Sequence, residues 1–182
     1  MVRKWKMVPA VALLALLAAT PAFATVTLHF VPQDSFIPSV GGTTNVDIVA
    51  DFTEGIGGWG LDLDVANPGV ASLTGIAIGP LWDAAPSTLD GDLLAGTVFS
   101  PTGIGPGTGF LLATLTFTAN GNGVTPIALS ISGDEDEGFV LAADAPQLDT
   151  DIVFANGTIT VPEPASLALV ALGGLVMLRR RS

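Results

Sequence analysis

The strongest constraint on the fold is an alternation of apolar and polar side chains with a period of two residues. Across residues 59–65, every second residue is apolar, and Asp62 and Asp64 are among the residues between them. This period is typical of a β-strand with one face in the core and the other in solvent. The same pattern occurs at residues 26–30, 46–52 and 111–117. No run has a sustained helical period, so the middle of the chain is predicted to be all-β.

Runs rich in Gly, Pro and Asn separate these predicted strands, and such residues favour turns. Three more strands are predicted at residues 124–131, 139–142 and 151–161. Roughly eight to ten short strands at this spacing predict a single antiparallel jelly-roll β-sandwich of about nine strands. The turns are at Gly41-Gly42, Asn67-Pro68-Gly69, Gly105-Pro106-Gly107, Asn120-Gly121-Asn122-Gly123 and Asn156-Gly157.

The charged residues are segregated along the chain. All six basic residues lie near the termini, at positions 3, 4, 6 and 179–181. Of the 17 acidic residues, all but Glu163 lie between positions 25 and 161, so this middle carries 16 negative charges and no Lys or Arg. Nonspecific nucleic-acid binding is excluded, because it needs basic side chains that displace counterions from phosphates. The chain has no Cys, which excludes a zinc–thiolate site, a disulfide framework and a cysteine nucleophile.

Residues 1–24 have the composition of a secretory signal peptide. Three basic residues precede an apolar run at 8–19, and Ala22-Phe23-Ala24 provides the small-x-small cleavage pattern. We predict cleavage after Ala24, which would leave a mature chain with a net charge of −11 − 3 = −14. The alternative is an uncleaved N-terminal anchor. It is disfavoured because the apolar run is shorter than the ~20 residues that a membrane-spanning helix needs.

The C-terminus combines a proline motif, an apolar stretch and a basic cluster. Pro162-Glu163-Pro164 separates the last predicted strand from the apolar stretch at 165–178, because proline interrupts both strands and helices. These 14 residues would form a helix of roughly 21 Å, short of the ~30 Å hydrocarbon core, and arginine snorkelling can make up part of the difference. We predict a short transmembrane helix, with Arg179, Arg180 and Arg181 in the cytoplasm and the β-domain across the membrane.

These three parts, in this order, resemble the PEP-CTERM sorting signal of Gram-negative bacteria. Some classifications label such a segment an ice-binding-protein C-terminal domain. The resemblance covers residues 162–182 and implies recognition by an exosortase, a membrane transpeptidase-like protease that removes the tail. It also implies delivery to the cell surface or to an exopolysaccharide matrix. A plain tail anchor is the alternative.

The order of predicted strands across residues 25–161 resembles cohesin domains and related carbohydrate-binding modules, which are nine-stranded jelly-roll sandwiches. The resemblance implies a non-enzymatic domain with a binding or structural role, and a polysaccharide or protein as its partner. No dockerin-contacting residue is carried over, because no segment matches closely enough to place one. The segments that carry the resemblance are 44–49, 57–65, Asn67-Pro68-Gly69-Val70, 111–118 and 156–161.

Few side chains in the middle could support catalysis. A catalytic triad would depend on His29, and this residue lies on the strand face opposite the apolar side chains, where we predict contact with solvent. Asp62 and Asp64 share one strand face, and carboxylates about 5–10 Å apart serve glycoside hydrolysis. A solvated strand has the same pattern. We therefore predict no catalytic residue, with a glycosidase as the less favoured alternative.

The densest acidic run is at residues 134–137, between Gly133 and Gly138. Four adjacent carboxylates repel one another, and Ca²⁺, which prefers oxygen ligands, would relieve that repulsion. Asp134 and Asp136 are the candidate ligands, because alternate side chains can converge on one ion. The run lacks the spacing of an EF-hand, and a solvated loop is the alternative. No other cofactor is predicted.

Carbohydrate binding usually requires an exposed aromatic ring with polar neighbours. Trp59 is in phase with Leu61 and Leu63, which predicts a core position. Trp82 lies at a predicted loop and is the candidate carbohydrate-binding residue, with burial under that loop as the alternative. Thr114, Thr116 and Thr118 form a ladder that is too short to predict an ice-binding face.

Overall fold

The fold is described from a computed structural model of the chain. The structure describes residues 25–84, 93–97, 103–131, 138–142, 147–148 and 152–163. The predicted signal peptide at 1–24 and the predicted transmembrane helix at 165–178 lie outside the described residues. The domain boundaries at 24/25 and 161/162 therefore remain predictions.

Within the described residues the chain forms thirteen β-strands and no helix, which confirms the prediction of an all-β domain. More strands form than the nine expected, partly because several are only two or three residues long. The strands are β1 (Val26–Val31), β2 (Asp34–Phe36), β3 (Thr43–Phe52), β4 (Ile56–Val65), β5 (Ala71–Ile78), β6 (Asp83–Ala84), β7 (Leu93–Thr97), β8 (Gly107–Ala119), β9 (Gly123–Ser130), β10 (Gly138–Leu141), β11 (Gln147–Leu148), β12 (Ile152–Phe154) and β13 (Gly157–Val161).

The strands form two sheets whose inner faces meet in one hydrophobic core. Sheet A has five strands in the order β12-β1-β3-β8-β5. Sheet B has eight strands along the path β11-β10-β4-β9-β13-β2, with β7 paired to β4 and β6 paired to β7. Two pairs are parallel, β1 with β12 and β2 with β13, whereas the other strand pairs are antiparallel, as predicted for the sandwich.

The parallel pairs arise because both ends of the domain cross from sheet A to sheet B side by side. At the crossing, the Thr158 N–H donates to the Gln33 carbonyl and the Gln33 side-chain amide donates to the Asn156 carbonyl, both at 2.9 Å. Residues 151–161 were predicted as one strand, but they contain β12 in sheet A and β13 in sheet B. A Cβ at Gly157 would lie 2.8 Å from the Gln33 carbonyl oxygen, so the close crossing requires glycine there.

Strands β9 and β10 lie one after the other along the same edge of β4. Ser130 of β9 opposes Asp62, and Gly138 of β10 opposes Gly60. Strand β7 pairs with both Gly60 and Asp62, and it therefore occupies the other edge. The chain thus stops pairing with β4 at Ser130, opposite Asp62, and resumes at Gly138, opposite Gly60. Residues 132–137, which include the whole acidic run at 134–137, connect these two points and lie outside the described residues.

Trp82 joins the two sheets through the core. Its indole N–H donates to the Leu111 carbonyl of β8 at 3.1 Å, and its ring meets Phe52 of β3 edge-on, with centroids 6.3 Å apart. On the other side it meets Trp59 of β4, also edge-on, at 6.2 Å. One side chain therefore contacts both sheet A and sheet B.

The two ends of the sandwich differ in where the chain leaves it. At the end that we term proximal, β13 finishes at Val161, opposite Gly123 at the start of β9. The opposite end, termed distal, contains the turn at 53–55 between β3 and β4. The described loops at the proximal end are 37–42, 66–70 and 120–122.

Candidate functional site

On the outer face of sheet A, polar side chains are hydrogen-bonded to one another. The Thr114 hydroxyl donates to Oδ1 of Asp47 at 2.6 Å, and the Thr116 hydroxyl donates to Oδ1 of Asn45 at 3.0 Å. Strand register produces these pairs, because β3 and β8 place each threonine directly opposite its acceptor. These four side chains therefore satisfy one another.

The third threonine of the ladder is paired as well. The Thr118 hydroxyl lies 2.9 Å from the Thr74 hydroxyl of β5. The hydroxyls of Thr114, Thr116 and Thr118 are thus all engaged by neighbouring side chains. An array of free hydroxyls is not formed by these residues, and the structure gives no support to an ice-binding face.

The outer face of sheet B carries a group of exposed apolar side chains in its proximal half. Phe36 of β2 and Val124 of β9 lie on either side of Thr160 in β13, each directly opposite it. Their side chains are 59% and 56% exposed. Pro126, two residues along β9 from Val124, is also exposed. We term Phe36, Val124 and Pro126 the sheet B patch.

Exposed apolar side chains on the outer face of sheet A do not form such a patch. Val31 and Val153 lie on the neighbouring strands β1 and β12. Val153 is opposite Thr27, so it lies four positions along the register from Val31. That separation corresponds to about 13 Å along the strand.

Two carboxylates border the sheet B patch. Asp34 of β2 accepts a hydrogen bond from the Thr158 hydroxyl at 2.6 Å. Asp64 of β4 is exposed opposite Ala128 of β9, and no described residue forms a hydrogen bond or ion pair with its carboxylate. Because residues 25–161 contain no Lys or Arg, neither acid can form a salt bridge with a lysine or arginine of the domain. The patch is therefore apolar with an acidic border.

Asp62 and Asp64 lie on the outer face of β4, as the alternation predicts. Asp62 is half-buried and Asp64 is exposed. Two positions along a strand correspond to about 6.6 Å between Cα atoms, which suits either a solvated face or a carboxylate pair. The glycosidase alternative for these residues stays a hypothesis.

The two tryptophans considered for carbohydrate binding are both in the core. Trp59 is buried, as predicted, and Trp82 is only 6% exposed. A sugar platform needs a free ring face, whereas the ring of Trp82 packs against Phe52 and Trp59. Trp82 therefore offers no ring face to a sugar in this structure, and burial, the alternative considered for it, is what is observed.

The predicted calcium ligands Asp134 and Asp136 lie outside the described residues, so calcium binding stays a prediction. Among the residues that the structure does describe, no three His, Cys, Asp or Glu side chains are grouped so that they could hold a metal ion. His29 is half-buried opposite Val49 on the outer face of sheet A, as the strand pattern predicts.

The sheet B patch is not predicted by the sequence pattern. Strand β2 has only three residues, too few for an alternation to be recognised. One signal was present, because Phe36 and Ile37 are adjacent and a strand cannot bury two successive side chains on one face. In the structure Ile37 is buried and Phe36 is exposed.

The sorting motif begins directly after the last strand. Pro162 is half-buried and Glu163 is exposed, whereas Pro164, Arg179, Arg180 and Arg181 lie outside the described residues. The described part of the chain has no helix that is long and apolar enough to cross a membrane.

Comparison with known proteins identifies this C-terminal segment. Residues 160–182 match the PEP-CTERM protein-sorting motif, which confirms the resemblance of Pro162-Glu163-Pro164, the apolar stretch and the arginine cluster to that signal. The motif implies exosortase-dependent export and a surface or extracellular destination. No curated protein matches the chain.

Solved structures of cohesins have the same fold. The third ScaB cohesin of R. flavefaciens, in complex with a group 1 dockerin, has a TM-score of 0.57 at 17% identity over 79% of this chain and 99% of that one. The seventh ScaB type I cohesin of Pseudobacteroides cellulosolvens has a TM-score of 0.54 at 18% identity, over 78% and 94%. The third ScaC cohesin of Acetivibrio cellulolyticus, in complex with a ScaB dockerin, has a TM-score of 0.52 at 15% identity, over 76% and 100%. The chain therefore combines a cohesin-like β-sandwich with a PEP-CTERM sorting motif.

Proposed function

We propose that the protein is an exported cell-surface or matrix component whose β-sandwich is a non-enzymatic binding module, with the sheet B patch as its docking surface for a protein partner. The observation that carries this proposal is the exposure of Phe36, Val124 and Pro126 on one sheet face, near Asp64. Exposed apolar side chains with a polar border are typical of protein interaction sites.

Phe36 has the properties of an anchor residue. Its neighbours Ser35 and Ile37 are both buried, which fixes the backbone of β2 against the core while the Phe36 ring stays in solvent. Aromatic side chains that are held in place in this way supply a large contact area for little loss of conformational entropy. Burial of Phe36 by a partner would remove the largest exposed apolar side chain of the patch from water.

The charge of the domain restricts the partner. With 16 acidic and no basic residues between positions 25 and 161, the domain attracts basic surfaces and repels anionic polymers. The partner that fits best is a protein with an apolar site surrounded by Lys or Arg, one of which would pair with Asp64. Cohesins of this fold have been solved with a protein partner, a dockerin, which supports a protein ligand over a polysaccharide.

The proposal is tested by site-specific photo-crosslinking in cells that export the protein. A photo-reactive phenylalanine is placed at Val124 on sheet B or at Val153 on sheet A, which are exposed to 56% and 53%. We expect one protein to be captured at Val124 and not at Val153. Equal capture at both positions, or capture at neither, would contradict a docking surface on sheet B.

The captured protein is then purified and titrated with the mature chain. Phe36→Ser and Asp64→Lys should each raise the Kd by about tenfold or more, which corresponds to ~1.4 kcal/mol. Ala77→Lys, an exposed position on the outer face of sheet A, is the control and should leave the Kd unchanged. If Ala77→Lys weakens binding as much as Asp64→Lys, the effect is one of total charge and the assignment to sheet B fails.

A further inference from the structure

Among the described residues, the three loops at the proximal end of the sandwich carry no charged side chain, although the domain has 16 acidic residues. Its loops at 37–42, 66–70 and 120–122 contain no Asp, Glu, Lys or Arg. The strands that lead into these loops extend the uncharged segments to 35–46, 65–82 and 110–133. By contrast, the distal turn contains Glu54, and Asp51 lies just before it. Charge is therefore distributed unevenly between the two ends.

The uncharged loops are bonded together into one surface. The Gly41 N–H donates to the Ala119 carbonyl at 2.8 Å, which joins the first loop to the end of β8. The Asn120 N–H donates to the Val70 carbonyl at 2.8 Å, which joins the second and third loops. Val40, at the tip of the first loop, is 51% exposed. The proximal end thus presents a fixed, neutral surface that includes an apolar side chain.

The proximal end is also where the chain continues to the sorting segment. Only Pro162, Glu163 and Pro164 separate Val161 from the apolar stretch that begins at Ala165. Even at full extension, the four steps from Val161 to Ala165 span roughly 14 Å. While the apolar stretch is inserted in a membrane, the proximal end must therefore stay close to the lipid headgroups.

We infer that, before the tail is removed, the domain stands on the lipid surface with its proximal end in contact with the headgroup layer. The inference rests on the sorting part of the proposed function, because it requires the apolar stretch to be inserted. The occupant of this surface is the bilayer that holds the tail. Asp51 and Glu54, at the other end of the sandwich, are then held away from the membrane.

The distribution of charge favours this orientation. Biological membranes carry anionic lipids, and their surface potential decays over about 8–10 Å in physiological salt. Carboxylates within that distance are repelled, whereas the neutral loops are not. An orientation with sheet A or sheet B against the membrane would bring Asp47 or Asp64 towards the headgroups. The three proximal loops approach lipid without this repulsion, and the described carboxylate nearest to the headgroups is then Glu163 of the sorting motif.

The test uses the natural absence of cysteine, which permits single labels on the full mature chain with its tail. The fluorophore NBD is attached to Val40→Cys or Asn122→Cys at the proximal end, and to Val140→Cys or Val153→Cys as matched controls towards the distal end. The controls are 46% and 53% exposed, close to the 51% of Val40. Each protein is reconstituted into vesicles of phosphatidylethanolamine and phosphatidylglycerol that contain lipids with a nitroxide headgroup. We expect quenching to be severalfold stronger at Val40 and Asn122 than at the two controls.

A second set of variants tests the role of charge. Val40→Asp combined with Asn122→Asp places two carboxylates on the proximal end, and it should lower the quenching of a probe at Pro68→Cys severalfold. The control combination, Val140→Asp with Val153→Asp, adds the same charge elsewhere and should leave that quenching unchanged. Equal effects of the two combinations would overturn the inference, because they would show a response to net charge alone.

A probe at Leu172→Cys separates the two ways in which the idea can fail. If this probe is buried in lipid but the proximal and distal probes are quenched equally, contact through the proximal end is overturned while the sorting proposal stands. If the Leu172 probe is exposed to water, the membrane-inserted tail is contradicted, and the sorting proposal and this inference fail together.

Discussion

The outer faces of the two sheets differ in whether the acidic side chains of β3 and β4 face a hydrogen-bond donor on the neighbouring strand. On sheet A, Asp47 opposes Thr114 and Asn45 opposes Thr116, so acceptors of β3 meet donors of β8 across the register. On sheet B, Asp64 of β4 opposes Ala128, which has no donor in its side chain. The difference lies in the sequences of facing strands rather than in the geometry of the sheets.

This comparison separates a structural face from a face that is available for binding. Polar groups that already have partners gain little from a ligand, since each new hydrogen bond would replace one that exists. Exposed apolar groups and unpaired carboxylates do gain from a ligand, because burial removes apolar surface from water and a basic partner neutralises the acid. On these grounds we propose sheet B, and not sheet A, as the binding surface.

The largest expected effect tests the packing of the two sheets against each other through Trp82. Trp82→Ala removes the side chain that contacts both sheets, and it should lower the free energy of unfolding by about 3–5 kcal/mol. Urea denaturation of the mature chain measures this. Trp82→Phe keeps most of the apolar contact and should lose clearly less. A loss below ~1 kcal/mol for the alanine variant would show that the sheets are held together without Trp82.

An intermediate effect is expected from breaking one hydrogen bond on each face. Thr114→Val removes a partly buried bond to Asp47 and should lower the free energy of unfolding by about 1–2 kcal/mol. Thr158→Val on sheet B removes a bond of the same length to Asp34, but that bond is exposed to solvent and its loss should be about 0.5 kcal/mol or less. Equal losses would mean that the polar network of sheet A has no special structural role.

The smallest effect is expected at Asp64. Asp64→Asn should change the free energy of unfolding by less than about 0.5 kcal/mol, because no described residue bonds to this carboxylate. Any change should be stabilising, since the substitution removes one negative charge from a domain without basic residues. Asp47→Asn on sheet A is the control, and thermal unfolding of both variants makes the comparison. A marked destabilisation by Asp64→Asn would assign Asp64 to the structure instead of to binding.

The alternation of side chains was sufficient to predict the sheets but not their edges. Strands β1, β3 and β4 follow the predicted period, because their inner faces meet the core along most of their length. Strand β8 follows it only from Ala113 onwards, because a register shift against β3 puts Leu112 in the core in place of the predicted Leu111. Strand β5 was not predicted, and its pairing with β8 shifts register between Leu73 and Gly75, which breaks the period of two. Strands β12 and β13 are predicted as a single strand, because the alternation of side chains gives no sign of a change of sheet at Asn156-Gly157.

The sheet B patch was even harder to predict from the sequence. Phe36 and Val124 are far apart in the chain, and they become neighbours only because both strands pair with β13 at Thr160. Trp82 shows the reverse problem. A tryptophan next to Gly79 and Pro80 indicated a loop, yet its indole lies in the core, where the Leu111 carbonyl accepts its N–H. Local sequence identifies a turn, but it does not show whether a side chain in that turn points into the core or into solvent.

The parallel pairing of the first and last strands has a consequence for the timing of export. Val26 lies beside Ile152, and Asp34 lies beside Thr158, so neither sheet is complete until the final strands arrive. A chain that crosses the membrane from its N-terminus delivers those strands last, immediately before Pro162. Contacts between residues so distant in sequence form late in folding. On the proposed sorting route, the tail would reach the membrane when the domain can first close, and a protease that acts on the sorting motif would meet a domain whose last strands have just emerged.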